Sequence, residues 1–477
     1  MVGIENKVRN IFTMPGTIVD KSLNNLSDNF KKLPRFVSDY LISILVNTNN
    51  PSEGVVKIND LINNHYIESN QKELIKSRIK EIGQYNLIGH IKCRYDNNKE
   101  EYFVDVEALE EKNARISYDI LKQHNEALLT TGAWGTITIC YDQSFKIKNT
   151  TYPLLITNFI PFQVTRINLD DWIRKSQEFS LEEWIDLIIS TIGFDPSSLS
   201  RDEKFIYIIR LIPFVESNIN MIELGPPETG KTFAYRSLSS YGFVISGSMT
   251  TVASLFYNKL RRQTGIIVNR DVVMFDEITN ANFSKNDEII SILKDYLNTG
   301  KFSRDNREFS SESSIMFAGN IICNREDKTV RNTYRHLFLP LPETIRNDRA
   351  FLDRIHGFIP GWIAPQIKSE NISKSIGFMA DYFSEIMHRL RSRNYGYIIS
   401  SKIKFENIGQ RNEVAVTRMA SGLLKLMFPS KTVKNINEEE LKLVLDIAIS
   451  LRKRVLEQLA IISPSEFNNV DINYKIL

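Results

Sequence analysis

Over residues 1–80 the apolar positions recur at helical spacing, as in Phe36-Val37-x-x-Tyr40-Leu41-Ile42-x-Ile44-Leu45, which lays an oily stripe along one face of a helix. Residues 47–52 interrupt that pattern with loop formers. Past residue 80 the texture changes. Runs rich in Ile, Val, Tyr and Thr at 86–94, 101–106, 134–141 and 152–160 predict strands, divided by a helix over 117–129. A small β-barrel or sheet follows from them. From about residue 181 the texture changes again, to short apolar runs at 221–224, 243–246, 272–275, 315–319 and 337–341 alternating with helices. That alternation predicts a parallel sheet whose strands are buried on both faces. Beyond Trp362 the pattern is helical, as over 439–459, and no repeat or long linker separates the parts.

The chain has 477 residues, which suits about three domains. Lys plus Arg number 60 against 57 for Asp plus Glu, a formal charge of +3 that excludes a global polycation, so any nucleic-acid surface must be local. The 3 cysteines, Cys93, Cys140 and Cys323, are far apart and form no CxxC pair. Reduced thiols of a cytosolic protein are expected, not a disulfide framework or a zinc site. The first residues lack the basic-then-apolar run of a signal peptide, and no stretch approaches the ~18 apolar residues of a membrane span. The expectation is a soluble protein of the cytoplasm with no membrane partner.

Gly225-Pro226-Pro227-Glu228-Thr229-Gly230-Lys231-Thr232 fits the P-loop pattern GxxxxGK[ST], between a predicted strand and a predicted helix. Its glycines allow tight backbone geometry, its amides surround phosphate, Lys231 reaches the β/γ oxygens and the Thr232 hydroxyl ligates Mg²⁺. ATP and Mg²⁺ are the cofactors expected. Asp271-Val-Val-Met-Phe-Asp276-Glu277 reads as a buried strand that delivers two acids to its C-terminal edge, where open α/β sheets bind ligands. Asp276 would hold Mg²⁺ through water and Glu277 would polarise the attacking water. Ser314-Ile-Met-Phe-Ala-Gly-Asn320 is another buried strand, ending in an amide able to orient that water.

These motifs, in this order, resemble the AAA+ ATPases. The strings Glu223-Leu-Gly-Pro-Pro-Glu-Thr-Gly-Lys-Thr232, Phe275-Asp-Glu-Ile278 and Phe351-Leu-Asp-Arg-Ile-His-Gly-Phe-Ile-Pro-Gly-Trp362 resemble more closely the BrxL family, the Lon-related AAA+ proteins of BREX bacteriophage-defence systems. Phe179-Ser-Leu-Glu-Glu-Trp-Ile-Asp-Leu-Ile-Ile188 and Val416-Thr-Arg-Met-Ala-Ser-Gly-Leu-Leu-Lys425 extend the likeness over most of the chain. The resemblance implies a homo-oligomeric ring, a hexamer or a multiple of one, akin to MCM helicase motors, acting on double-stranded DNA beside other BREX proteins in a bacterial or archaeal cytoplasm. It places Arg354 as the finger inserted into a neighbour's site, and Arg411, with Arg418 second, as a γ-phosphate sensor within the subunit. Glu228 departs from the glycine of many relatives, and a carboxylate there would repel phosphate unless it points outward. Too little chain follows Lys425 for a Lon-type protease domain, so no protease activity is expected.

Lys301-Phe-Ser-Arg304-Asp-Asn-Arg307 reads as a hairpin just before the strand ending in Asn320, where MCM-like motors carry a DNA-gripping hairpin. Lys301, Arg304 and Arg307 would contact phosphates, the alternative being a solvated turn. The competing functions are a protein unfoldase, disfavoured because residues 247–265 hold no aromatic–apolar–Gly tripeptide, and a nucleotide-gated scaffold. The expected fold is α/β: a helical segment (1–80), a β-rich domain of OB type facing DNA (81–170), an AAA+ core (171–365) and an α-helical lid with a tail (366–477).

Overall fold

The computed structural model describes residues 2–14, 16–46, 51–68, 70–147, 149–162, 167–246, 251–259, 263–280, 287–468 and 471–477. Contacts divide the chain into two units, Met14–Arg166 and Met1–Thr13 with Ile167–Leu477.

In the first unit the helices Arg35–Leu45, Pro51–His65 and Lys72–Ile82 precede a closed barrel. Pro51 opens its helix, so the predicted loop 47–52 ends there; 47–50 lie outside the described residues. The barrel runs in the order Gln84–Asp96, Glu101–Val106, Glu111–Ile116, Leu154–Pro161, Ala133–Tyr141. The long first strand closes it. Its C-terminal half pairs antiparallel with Glu101–Val106 and its N-terminal half with Ala133–Tyr141. Alternation places Leu87, Ile91, Val104, Ile137, Ile139 and Ile156 in one core, with Leu121 and Leu128 of the helix Tyr118–Leu129 against it. Gly135 is obligatory, because a Cβ there would lie 2.4 Å from the Ile160 carbonyl oxygen. The strand Glu111–Ile116 escaped the sequence pattern because Ala114 is its one buried residue.

The second unit is built on a parallel sheet ordered Gly242–Ile245, Val272–Phe275, Ser314–Asn320, Asn220–Gly225, Gly357–Pro360. Four of these strands lie where the apolar runs put them. The fifth does not. Residues 337–341 form turns, with Leu339 N–H on the His336 carbonyl and Leu341 N–H on that of Phe338. Pro340 cannot donate to a ladder, whereas Gly357–Pro360 is buried throughout and ends on its proline.

Capping boxes at Ser180/Glu183 and Ser200/Glu203 start the helices Leu181–Thr191 and Arg201–Ile209. The chain's first helix, Val2–Ile11, joins this unit, with Lys7 2.6 Å from Glu183 and Phe12 edge-on to Phe378. The last third carries Ala380–Leu390, Gly396–Lys402, Gln410–Met427 and Glu438–Ile462. It is not all helix, because Ile403–Glu406 pairs antiparallel with Asn473–Ile476, setting Phe405 opposite Tyr474.

Candidate nucleotide site

The P-loop leaves the C-terminal end of Asn220–Gly225, between two other strands of the sheet. Its backbone is held from below. Arg210 and Glu223, 1% and 0% exposed, form a two-pronged pair at 2.6 and 3.0 Å, and Arg210 also donates to the Thr229 carbonyl at 3.0 Å. Burial works against the Arg210 charge, but the Glu223 carboxylate outweighs it and holds the guanidinium above its usual pKa. Gly225 abuts Gly361, where a Cβ would lie 2.6 Å from the Gly361 carbonyl carbon, and Gly230 takes φ +71°.

Lys231 is buried and donates to the carbonyls of Gly225 (3.1 Å) and Pro226 (2.6 Å) and to Asn320 Oδ1 (3.2 Å). Burial lowers its pKa, while the carboxylates of Glu223 and Asp276 pull the other way. Asp276 follows its strand directly, with its N–H on the Ile245 carbonyl at 2.9 Å. Its Oδ2 accepts from the Thr232 hydroxyl at 3.0 Å. Glu277 is exposed at φ +56° and gives its N–H to Asp276 Oδ1 at 3.0 Å. Register sets Asn320 opposite Gly225. Gly225, Lys231, Thr232, Asp276 and Asn320 therefore meet at one sheet edge, with Glu277 beside them in the chain.

Among the described residues no group of three His, Cys, Asp or Glu could enclose a metal ion. One hydroxyl and one carboxylate converging at 3.0 Å nonetheless suit Mg²⁺, which keeps several waters and takes substrate phosphate oxygens.

Glu228 is turned outward. Its side chain accepts from Gln366 Nε2 and its carbonyl from Ile367 N–H at 2.9 Å, at φ +64°. Arg325 adds a bond to the Pro227 carbonyl at 3.2 Å. The segment after Gly357–Pro360 thus straps the P-loop and keeps the extra carboxylate off its inner face.

Arg354 and Arg411 lie elsewhere. Both line a cavity of ≈ 410 Å³ with Asp353, His356, Arg418 and Arg452. The cavity is at the opposite end of the P-loop strand, where Asn220 N–H donates to His356 Nδ1 at 2.9 Å and its side-chain amide to the Arg354 carbonyl at 3.3 Å. Residues 220 to 225 of an extended strand span about 16 Å. Arg411, expected as a sensor within its own subunit, thus lies at the far edge of the strand, where Asp353 binds its guanidinium. Asp353 also holds the buried Arg452 at 2.7 Å. Arg418, the second choice, donates to the Asn218 carbonyl at 2.6 Å. Burial, then the charges of Arg418 and Arg452, push His356 well below its ordinary pKa.

The hairpin pairs Lys301–Arg304 with Arg307–Ser310 around Asp305 and Asn306, both at positive φ as a type I′ turn requires. Its arginines are not equivalent. Arg304 is folded against Glu288 at 3.3 Å with its side chain 14% exposed, whereas Arg307 is exposed and donates to the Tyr257 hydroxyl at 3.2 Å. Lys301 pairs with Glu308 at 2.9 Å across the strands. Of segment 247–265, residues 247–250 and 260–262, with Arg261 and Arg262, lie outside the described residues. Sequence reasoning missed Arg210, Gln366 and Asp353. Only Arg210 left a signal, a lone cation inside Ile208-Ile209-Arg210-Leu211-Ile212.

Residues 154–473 match a family model described as "Lon-like protease BrxL-like, ATPase domain", and residues 12–141 match "BREX system Lon protease-like protein BrxL N-terminal". A protein named Lon-like protease BrxL from Escherichia coli O9:H4 (strain HS) is 33% identical over 463 residues, covering 96% of this chain and 65% of the relative. Its namesake from Bacillus cereus (strain H3081.97) is 33% identical over the same length, with 96% and 67% covered. The chain thus spans about two thirds of the length of these relatives.

Proposed function

This chain belongs to the BrxL family of Lon-like proteins, and from that premise we propose that it is an AAA+ ATP hydrolase that couples turnover to movement along, or clamping of, duplex DNA in BREX-type phage defence. The observation that carries the ATPase reading is the meeting of Lys231, Thr232, Asp276 and Asn320 at the C-terminal edge of a parallel sheet. P-loop amides and Lys231 bind and orient the triphosphate. Thr232 and Asp276 hold Mg²⁺, which neutralises phosphate charge when bound. Glu277, exposed beside them, takes a proton from the attacking water, and Asn320 aligns that water.

Arg354 and Arg411, together at the far edge of the same strand, suit a ring in which one subunit's arginines complete the next subunit's site. The helices of the last third form the lid in this reading. A five-stranded barrel with a helix between its third and fourth strands supports an OB-type domain, a fold whose faces take nucleic acid. With Lys301 and Arg307 of the hairpin, it would provide the DNA contacts.

The test is steady-state ATP hydrolysis by the full chain with and without duplex DNA, with Lys231→Ala as the blank. DNA stimulation is expected, and Glu277→Gln should bind ATP undiminished yet not turn it over. Stimulation by unfolded polypeptide alone would give the site to an unfoldase. ATP binding without hydrolysis would give it to a nucleotide-gated scaffold.

A further inference from the structure

Asp276 already has a cation beside it. Arg236 lies one helical turn past Thr232 on Phe233–Ser237, with its N–H on the Thr232 carbonyl at 3.1 Å, so both side chains rise on the same face. Both converge on Asp276 Oδ2, the Thr232 hydroxyl at 3.0 Å and the Arg236 guanidinium at 3.5 Å. The other carboxylate oxygen accepts the Glu277 N–H at 3.0 Å. Arg236 is also tied to the Ser246 hydroxyl, just past Gly242–Ile245. That bond gives the guanidinium a place to rest if it leaves the carboxylate. Its side chain is 55% exposed, so water screens the ion pair and displacing it is cheap.

A hydrated divalent cation and a guanidinium cannot share one carboxylate oxygen without repulsion. We propose that Arg236 is a built-in competitor for magnesium: it occupies Asp276 until the ion arrives with nucleotide, and so sets the magnesium concentration at which the site fills. The proposal rests on the nucleotide-site reading above and adds a residue that no P-loop pattern specifies.

The test is ATP binding by the full chain, followed calorimetrically, across a magnesium series that starts from chelator. Arg236→Gln should lower the half-saturating magnesium for the metal-dependent gain in affinity by about 2- to 5-fold, the worth of an exposed ion pair. Metal-free ATP affinity should stay at the parent value, and the same substitution in an Asp276→Asn background should change nothing. An unchanged or raised magnesium requirement overturns the proposal. So does a loss of metal-free affinity, which would make Arg236 a phosphate ligand instead. The underlying reading fails separately, if Lys231→Ala binds ATP as tightly as the parent at every magnesium concentration.

Discussion

Arg210→Met is the substitution on which the architecture beneath the P-loop is most exposed to refutation. It keeps an apolar stem of similar length but strips both donors from Glu223, whose side chain is 0% exposed. The bonds lost are those at 2.6 and 3.0 Å to the carboxylate, and a third at 3.0 Å to the Thr229 carbonyl. An uncompensated buried carboxylate costs about 3–5 kcal/mol, well above the worth of a surface ion pair. Pairing the change with Glu223→Leu removes the orphaned charge, and the double variant should return to within about 1–2 kcal/mol of the parent. Urea unfolding read by tryptophan fluorescence suits the question, because Trp172 and Trp184 are buried in the same unit. A single variant within about 1 kcal/mol of the parent would refute the reasoning, and so would a double variant no more stable than the single.

Glu228→Gly should leave ATP affinity within about twofold of the parent, because the carboxylate faces Gln366; a tenfold gain by calorimetry would show that it faces phosphate. Stability should fall as pH drops below about 6.5, since the unfolded chain then protonates its histidine while buried His356, accepting Asn220 N–H through Nδ1, does not. His356→Gln should flatten that part of an unfolding-versus-pH curve, and an unaltered slope would remove His356 as the cause. Arg307→Glu should weaken duplex binding and shallow its salt dependence by about one unit, whereas Arg304→Gln should do less because Glu288 already holds that side chain. Anisotropy titrations over a salt series decide it, and equal losses would contradict the difference between them.

What the sequence made legible follows from how local each signal is. The P-loop, the acid pair and Asn320 each join an apolar run to a polar end, so both strand and chemistry can be read from adjacent residues. The apolar run Leu337-Phe-Leu-Pro-Leu341 predicts the closing strand of the sheet despite its proline, while Gly357–Pro360 is too short to stand out. Glu111–Ile116 is hidden for the opposite reason, an edge-like composition in a strand whose neighbours do the burying. Arg354 and Arg411 could be named but not placed, because their address depends on Asp353 and on packing from distant helices. Likewise Gln366, far along the chain, is what holds the Glu228 side chain outward.

The hairpin and the Asn320 amide lie at the two ends of one run of chain. Three residues after Arg307–Ser310 the chain enters Ser314–Asn320, a seven-residue strand of about 20 Å that ends on Asn320. Parallel neighbours flank it on both sides, Val272–Phe275 and Asn220–Gly225. A tug on the hairpin along that axis therefore loads both ladders in shear, with every hydrogen bond resisting together instead of parting one after another. The strand is anchored along its length. The ladders therefore hold the Asn320 amide, and the Lys231 amine bonded to it, in place against a pull on the hairpin.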